Sequence, residues 1–336
     1  MSIDLPLIWG ALIAIAVLMY VVLDGFDLGI GILFPFLRKP AHRNTAIDSI
    51  APVWDGNETW LVLGGGGLFA VFPLAYSLLM TAFYAPLIAM LLALIFRGVA
   101  FEFRVRDPRH TRIWDWAFTV GSIGATFAQG VVLGAFIQGI DIEGRSYVGG
   151  WYDWLSPFSV FTGLALVAGY ALLGAGWLIM KTEGELQERA FALARPLLGC
   201  VLLTIASVSL WTPLTHTSIA ERWFVWPNIA ILAPVPLLVA VLALLLHRAL
   251  QRRHDRAPFL LTLGLFVLSY LGLGISLFPQ IVPPDVTIWD AASPPESQGF
   301  LLIGTAVLLP LVLFYTGYVY WIFRGKVREG EGYHEH

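Results

Sequence analysis

The chain has 336 residues, of which 58 % are hydrophobic and 13 % charged, with a mean hydropathy of +0.76. Soluble domains carry about 25 % charged residues, so soluble two-layer folds are excluded and the sequence predicts an all-α polytopic membrane protein. The formal charge of −3 decides little, while the single cysteine, Cys200, excludes an internal disulfide and Cys-rich metal or iron–sulfur sites and reads as a small core side chain.

A helix needs about 20 mostly apolar residues to cross the hydrocarbon layer. The first apolar run begins at Leu5 with no basic residue before it and no small-x-small site, so it reads as a retained span rather than a signal peptide. It continues past Asp24, because Leu28, Ile30, Ile32, Leu33 and Phe34 stay apolar, and gives a first span over 7–36. Run 59–96 lacks acids and bases but is too long for one helix. Together with residues 54–58 it divides into spans 54–77 and 80–104, joined by a tight turn near Ser77 to Met80. Further spans follow at 115–139, 156–180, 196–217, 224–247, 258–280 and 299–323.

These nine spans form a single membrane domain over 1–324, with 325–336 as a short cytoplasmic tail whose end, "GYHEH", reads as disordered. Of the twenty Lys and Arg, all but Arg145 and Arg222 fall on one side when the N-terminus is periplasmic and the C-terminus cytoplasmic. Trp9, Trp114, Trp151, Trp223, Trp226 and Trp321 sit near span ends, where indole rings favour the interface. Loop lengths point to two four-helix bundles, spans 1–4 and 5–8, with the ninth helix peripheral.

The acids stand out against this background. Asp24 and Asp27 lie three apart, on one helical face, and about 25 Å beyond Leu7 at about 1.5 Å per residue. Gly25, Gly29 and Gly31 keep that region slim enough for a neighbouring helix to approach. Asp55 and Glu58 open the second span from the same side, and Arg97 arrives at similar depth in the third, with Glu102 and Arg104 just beyond. One buried polar cluster containing all of them is expected. An ionisable residue in a membrane helix marks a transport path, a proton relay or a binding site. A structural reading stands beside it: Asp55 caps a helix start, and Arg97 merely neutralises Asp24 or Asp27. Trp54, Trp60 and Asn57 border the second acid pair and read either as a pocket for a quinone-like ring or as core filler.

Other chemistry is missing. His42, His110, His216, His247, His254, His334 and His336 offer no facing pair at membrane depth, so no haem ligation by this chain and no metal site is expected. The "GGGG" at Gly64 to Gly67 lacks the Lys and Ser or Thr of a phosphate loop and reads as a flat packing face. Loop 281–297, with its four prolines, reads as an ordered cap or a partner contact. The expected surroundings are membrane lipid, with no nucleic-acid partner. On the residues alone, three classes stay open: a proton-handling enzyme subunit, an ion-coupled secondary transporter, and an inert scaffold.

Five segments resemble subunit II of the cytochrome bd-type quinol oxidases: "GFDLGIG" (25–31), "SIAPVWDGNETWLVLGGGGLFAVFP" (49–73), "YSLLMTAFY" (76–84), "YAPLIAMLLALIFRGVAFEFR" (84–104) and "FPQIVPP" (278–284). The likeness covers nearly the whole chain and is most specific in its first hundred residues; a cyanide-insensitive subgroup exists. The resemblance implies a heterodimer in the bacterial inner membrane with a haem-bearing subunit I, joined in some members by small single-span subunits. Subunit I would hold haem b, a further haem b or d, and the site for ubiquinol or menaquinol; some members keep a structural quinone in subunit II. It implies that quinol is oxidised near the outer face and that protons for O2 reduction come from the cytoplasm. The acid of the family's "WDGN" element matches Asp55, associated with that proton route. Its "DGFD" element matches Asp24 and Asp27, and its third-helix arginine matches Arg97. The residue before "DGN" matches Trp54. Where the family often has Gln, this chain has Glu58.

Overall fold

The computed structural model describes residues 4–328 and Gly330. The tail end "GYHEH", with His334 and His336, lies outside the described residues. Helix α1 (Leu5–Leu33) starts on Asp4, whose carboxylate accepts from the Leu7 amide at 3.1 Å, and gives way to a 3-10 turn, Phe34–Phe36, around Pro35. A short helix α2 (Pro40–Asp48) follows, a non-spanning element that hydropathy alone does not reveal. Then come α3 (Trp54–Val71), α4 (Pro73–Ala82), α5 (Tyr84–Arg106) and α6 (Thr111–Gln138).

The division of run 59–96 differs from expectation. Ser77 to Met80 is helical, inside α4, and the breaks fall at Phe72 and Phe83. Pro73 decides the first: a residue before proline is pushed out of the α region, and Phe72 has φ −123°, ψ 62°.

The second half holds α7 (Pro157–Lys181), α8 (Gly184–Thr215), α9 (Thr217–Phe224), α10 (Asn228–Leu232), α11 (Pro234–Gln251), α12 (Ala257–Leu277) and α13 (Pro295–Ile322). Helix α8 begins well before the predicted residue 196 and runs through Pro196. Two antiparallel ribbons occur among the described residues: β1 (Ile142–Glu143) with β2 (Ser146–Tyr147), and β3 (Gln280–Val282) with β4 (Val286–Thr287). Among the described residues, eight helical stretches are long and apolar enough to cross a membrane. The architecture is thus an all-α, multi-span membrane protein with small ribbons in its loops.

Helices α1 and α7 occupy the centre. Helix α1 packs on α3, α6 and α7, and α7 also packs on α6, α8 and α12. In lipid, helices associate through close packing of small residues rather than by escaping water. Gly29 of α1 meets Gly174 of α7 with backbones in contact. A methyl group at Gly29 would collide with the Tyr170 carbonyl oxygen and come within 2.8 Å of the Gly174 nitrogen. Gly121 of α6 does the same for α5, since a methyl there would lie 2.8 Å from the Arg97 nitrogen. Of the four consecutive glycines, Gly64 and Gly67 face Val17 and Ile13 of α1, while Gly65 and Gly66 look outward.

Cys200 is exposed on α8, not in the core. An outward position facing lipid tolerates a weakly polar thiol as readily as a core one. Loop 278–294 is ordered: Val282, Val286, Ile288 and Ala291 are buried with Trp9, Phe72 and Leu78, and the Ser293 amide donates to the Val71 carbonyl at 2.7 Å. The segment after α13 is fastened as well. Lys181 donates to the Phe323 and Gly325 carbonyls, Val327 donates its amide to the Lys181 carbonyl at 2.7 Å, and Lys326 pairs with Asp255 at 2.7 Å.

Candidate functional site

The central helices bring four elements to one point. Helix α1 presents Asp24 and Asp27 one turn apart, the first turns of α3 present Asn57 and Glu58, α5 presents Arg97, and α13 presents Tyr320. Arg97 is fully enclosed, and so are both aspartates. Its guanidinium donates to Asp24 at 3.1 Å and to Glu58 at 3.1 Å, with Asp27 at 3.8 Å. Glu58 keeps 31 % of its side chain exposed and so joins the buried group to the surface. Asn57 donates to Asp27 Oδ2 at 2.7 Å and accepts from the Tyr320 hydroxyl at 2.8 Å. The Arg97 guanidinium also lies over the Trp54 ring, 5.1 Å from its centroid, and Trp54 leans on Phe101. Trp60 is buried against Ala16 and Tyr20 of α1.

The expected single cluster divides in four. Asp24, Asp27, Glu58 and Arg97 meet. Asp55 is exposed in the first turn of α3, where its charge suits the helix dipole, and Val53, not Asp55, is the N-cap residue. Glu102 and Arg104 are elsewhere: Glu102 lies on the exposed side of α5, and Arg104, about two turns beyond Arg97 on the same buried face, reaches other partners. Glu102 is exposed and pairs with Arg106 at 3.7 Å. Arg104 belongs to a second network, donating to Asp115 at 2.6 Å and to Asn44 at 2.9 Å, while Arg43 donates to the other Asp115 oxygen at 2.8 Å. Both guanidinium groups lie 5.6 Å from the Phe34 ring centroid. This network locks α2 onto α5 and α6. Sequence reasoning missed Asp115, Asn44 and Tyr320. For Asp115 a signal existed, an acid within the apolar periodicity of α6. Tyr320 had none, since a tyrosine near a span end reads as an interfacial ring.

Among the described residues, no group of three or more His, Cys, Asp or Glu could hold a metal ion. The described histidines sit at helix ends, in α2, or in turns: His42 in α2, His110 ending a 3-10 turn, His216 capping α8, His247 in the last turns of α11 and His254 in a loop. Axial ligation of haem needs such a side chain at membrane depth, so these residues do not fit that group. Outside the spans, the His110 hydrogen bond holds the Asp107 carboxyl below the usual range, with Trp114 adding a second donor. Burial, with Asp153 alongside, pushes the Tyr147 phenol up to about 12.

The family model for cytochrome bd terminal oxidase subunit II matches residues 5–323. The chain belongs to that family. Cytochrome bd-I ubiquinol oxidase subunit 2 of Escherichia coli K12 is 32 % identical over 362 aligned positions, covering 96 % of this chain and 95 % of that one. Cytochrome bd ubiquinol oxidase subunit 2 of Bacillus subtilis is 29 % identical, covering 96 % and 97 %. A chain in the structure of the bd oxidase from Geobacillus thermodenitrificans shares the fold, with a TM-score of 0.75 at 19 % identity over 95 % of this chain and 99 % of that one. As a bd oxidase subunit II, the chain is one component of a terminal oxidase in a bacterial membrane, with the redox centres in its partner subunit. The transporter class falls with that membership.

Proposed function

We propose that this subunit II pairs with a haem-bearing subunit I and carries protons from the cytoplasm towards the reduction of O2 to water. One observation carries the reading: three carboxylates share a single enclosed guanidinium, and Glu58 links that group to the surface. A buried charge without a partner is strongly disfavoured, so a site with more carboxylates than cations takes up protons. Haem in the partner subunit supplies electron transfer from quinol to O2. The residues of this chain supply the route. Asp55, exposed at the start of α3, gathers protons; Glu58 passes them inward; Asp24 and Asp27 form the enclosed end; Arg97 holds the three carboxylates in place. Trp54 and Asn57 are engaged by Arg97, Asp27 and Tyr320, and Trp60 by α1. We assign all three to holding the site rather than to a structural quinone.

The topology that fits this reading has nine crossings, with α3 and α4 together making the second, the N-terminus periplasmic and the C-terminus cytoplasmic. Basic residues gather at the end of the bundle where α2, the α5–α6 turn, the α7–α8 turn and the segment after α13 meet, as a cytoplasmic face requires. The packing of α1 on α3 and α6, and of α7 on α8 and α12, supports two four-helix groups in contact through α1 and α7, with α13 at the edge. The apolar flanks exposed on α5, α8 and α13 are the surfaces for lipid, for subunit I and for single-span accessory subunits.

The test is Asp55→Asn in the complete oxidase. Haem content is expected to match the parent while quinol-driven O2 uptake falls about tenfold or more, the equivalent of about 1.4 kcal/mol on the barrier. A fully assembled complex with normal turnover would count against the route.

A further inference from the structure

Helix α13 is the least enclosed of the long helices. Phe300, Ile303, Val307, Leu311 and Phe314 all face outward. Yet Tyr320, in its last turn, points into the bundle and sets its ring edge-on to Trp177, with centroids 6.2 Å apart. Its hydroxyl donates to Asn57 Oδ1 at 2.8 Å, and Asn57 Nδ2 donates to Asp27 Oδ2 at 2.7 Å. A side-chain amide carries its acceptor and its donors on opposite ends. A donor fixed on Oδ1 therefore fixes Nδ2 on the carboxylate. The second anchor lies three residues on, where Lys181 of α7 binds the Phe323 and Gly325 carbonyls. Tyr320 is thus held in place from the end of α7, and its neighbours around Asp27 are Arg97 from α5, Glu58 from α3 and Asp24 from α1.

We infer that Tyr320 is a positioning residue for the buried acids: it orients the Asn57 amide so that Asp27 keeps a hydrogen-bond donor during proton transfer, and the Lys181 clasp keeps Tyr320 there. The inference rests on the proton-route reading above. Tyr320 acts on Asp27 only through the amide, so its removal has a smaller effect than removal of the amide itself.

The experiment compares Tyr320→Phe, Asn57→Leu, the double variant and Asp27→Asn in the intact oxidase. Haem content per complex reports assembly, steady-state kinetics report kcat and the KM for quinol, and infrared difference spectra report the Asp27 carboxylate band, identified by its loss in Asp27→Asn. Tyr320→Phe is expected to lower kcat about five- to tenfold, leave the quinol KM within about twofold, and shift the Asp27 band. The double variant should be no slower than Asn57→Leu alone, since both break one chain of contacts. If Tyr320→Phe does not assemble, Asn57→Leu cuts the same link from its other side and is expected to shift the Asp27 band and lower kcat at least as far. An unmoved band and unchanged kcat in Tyr320→Phe, with Asp27→Asn slow, overturns the inference and leaves the route standing. Normal turnover in Asp27→Asn overturns both.

Discussion

Arg97 shows how much a single side chain can decide in a low-dielectric setting. It is wholly enclosed and contacts Asp24, Glu58 and Asp27. Removing one partner of a buried ion pair is destabilising by about 3–5 kcal/mol, because it strands the remaining charge. Arg97→Leu should therefore cut the yield of assembled oxidase and lower its thermal midpoint; Glu102→Gln, which loses only an exposed pair with Arg106, should leave the midpoint within about 1 °C of the parent. A scan of assembled haem absorbance against temperature separates the two. Asp24, Asp27, Glu58 and Arg97 were all legible in the sequence, because a charge inside a span contrasts with everything around it. The same contrast misled for Glu102, which faces outward, and for Arg104, which lies about two turns beyond Arg97 and meets other partners. Tyr320 and Asn44 were illegible, since their roles come from residues distant in the chain.

At the scale of helices, spacing between backbones is the controlling quantity. Where Gly29 crosses Gly174, a side chain on either would meet the other helix's main chain. Overpacking typically costs about 1–3 kcal/mol, and here no flexible side chain can move aside. Gly29→Ala should separate α1 from α7 and lower the midpoint by several degrees, whereas Gly65→Ala, which meets nothing within 4 Å, should leave it unchanged. That the chain is built of long apolar helices could be read from the sequence because hydropathy marks them. The breaks at Phe72 and Phe83 could not, since a proline inside an apolar run announces a distortion without saying whether the chain turns or continues. The clasp after α13 gives a pH prediction. The Lys326 hydrogen bond holds the Asp255 carboxyl below the usual range. A depressed folded value means that this contribution is present above the unfolded value of about 3.9 and fades as pH falls through the lower, folded one. Hydrogen exchange at the Val327 amide, which donates to Lys181, should stay slow relative to its intrinsic rate from neutrality to about pH 4 and lose protection below that. Lys326→Ala should weaken protection at every pH in that window.

The whole molecule leaves broad apolar flanks uncovered and gathers its bases at one end, as a chain does when lipid and a second subunit complete its surface. Purified from its native membrane, it should bring a haem-bearing partner with it. The reduced-minus-oxidised spectrum and quinol-driven O2 uptake should then belong to the pair and not to this chain.

The contacts of Asp24 also set an order of events during synthesis. Its guanidinium partner lies 73 residues later in the chain, and the tyrosine that engages Asn57 lies 263 residues after that asparagine. The first helix therefore enters the membrane carrying two acids whose cation has not yet been made, and the site closes only when the last helix emerges. A nascent chain stopped before Arg97 holds a first helix whose two acids lack the cation that encloses them in the finished fold, a costly arrangement within a membrane.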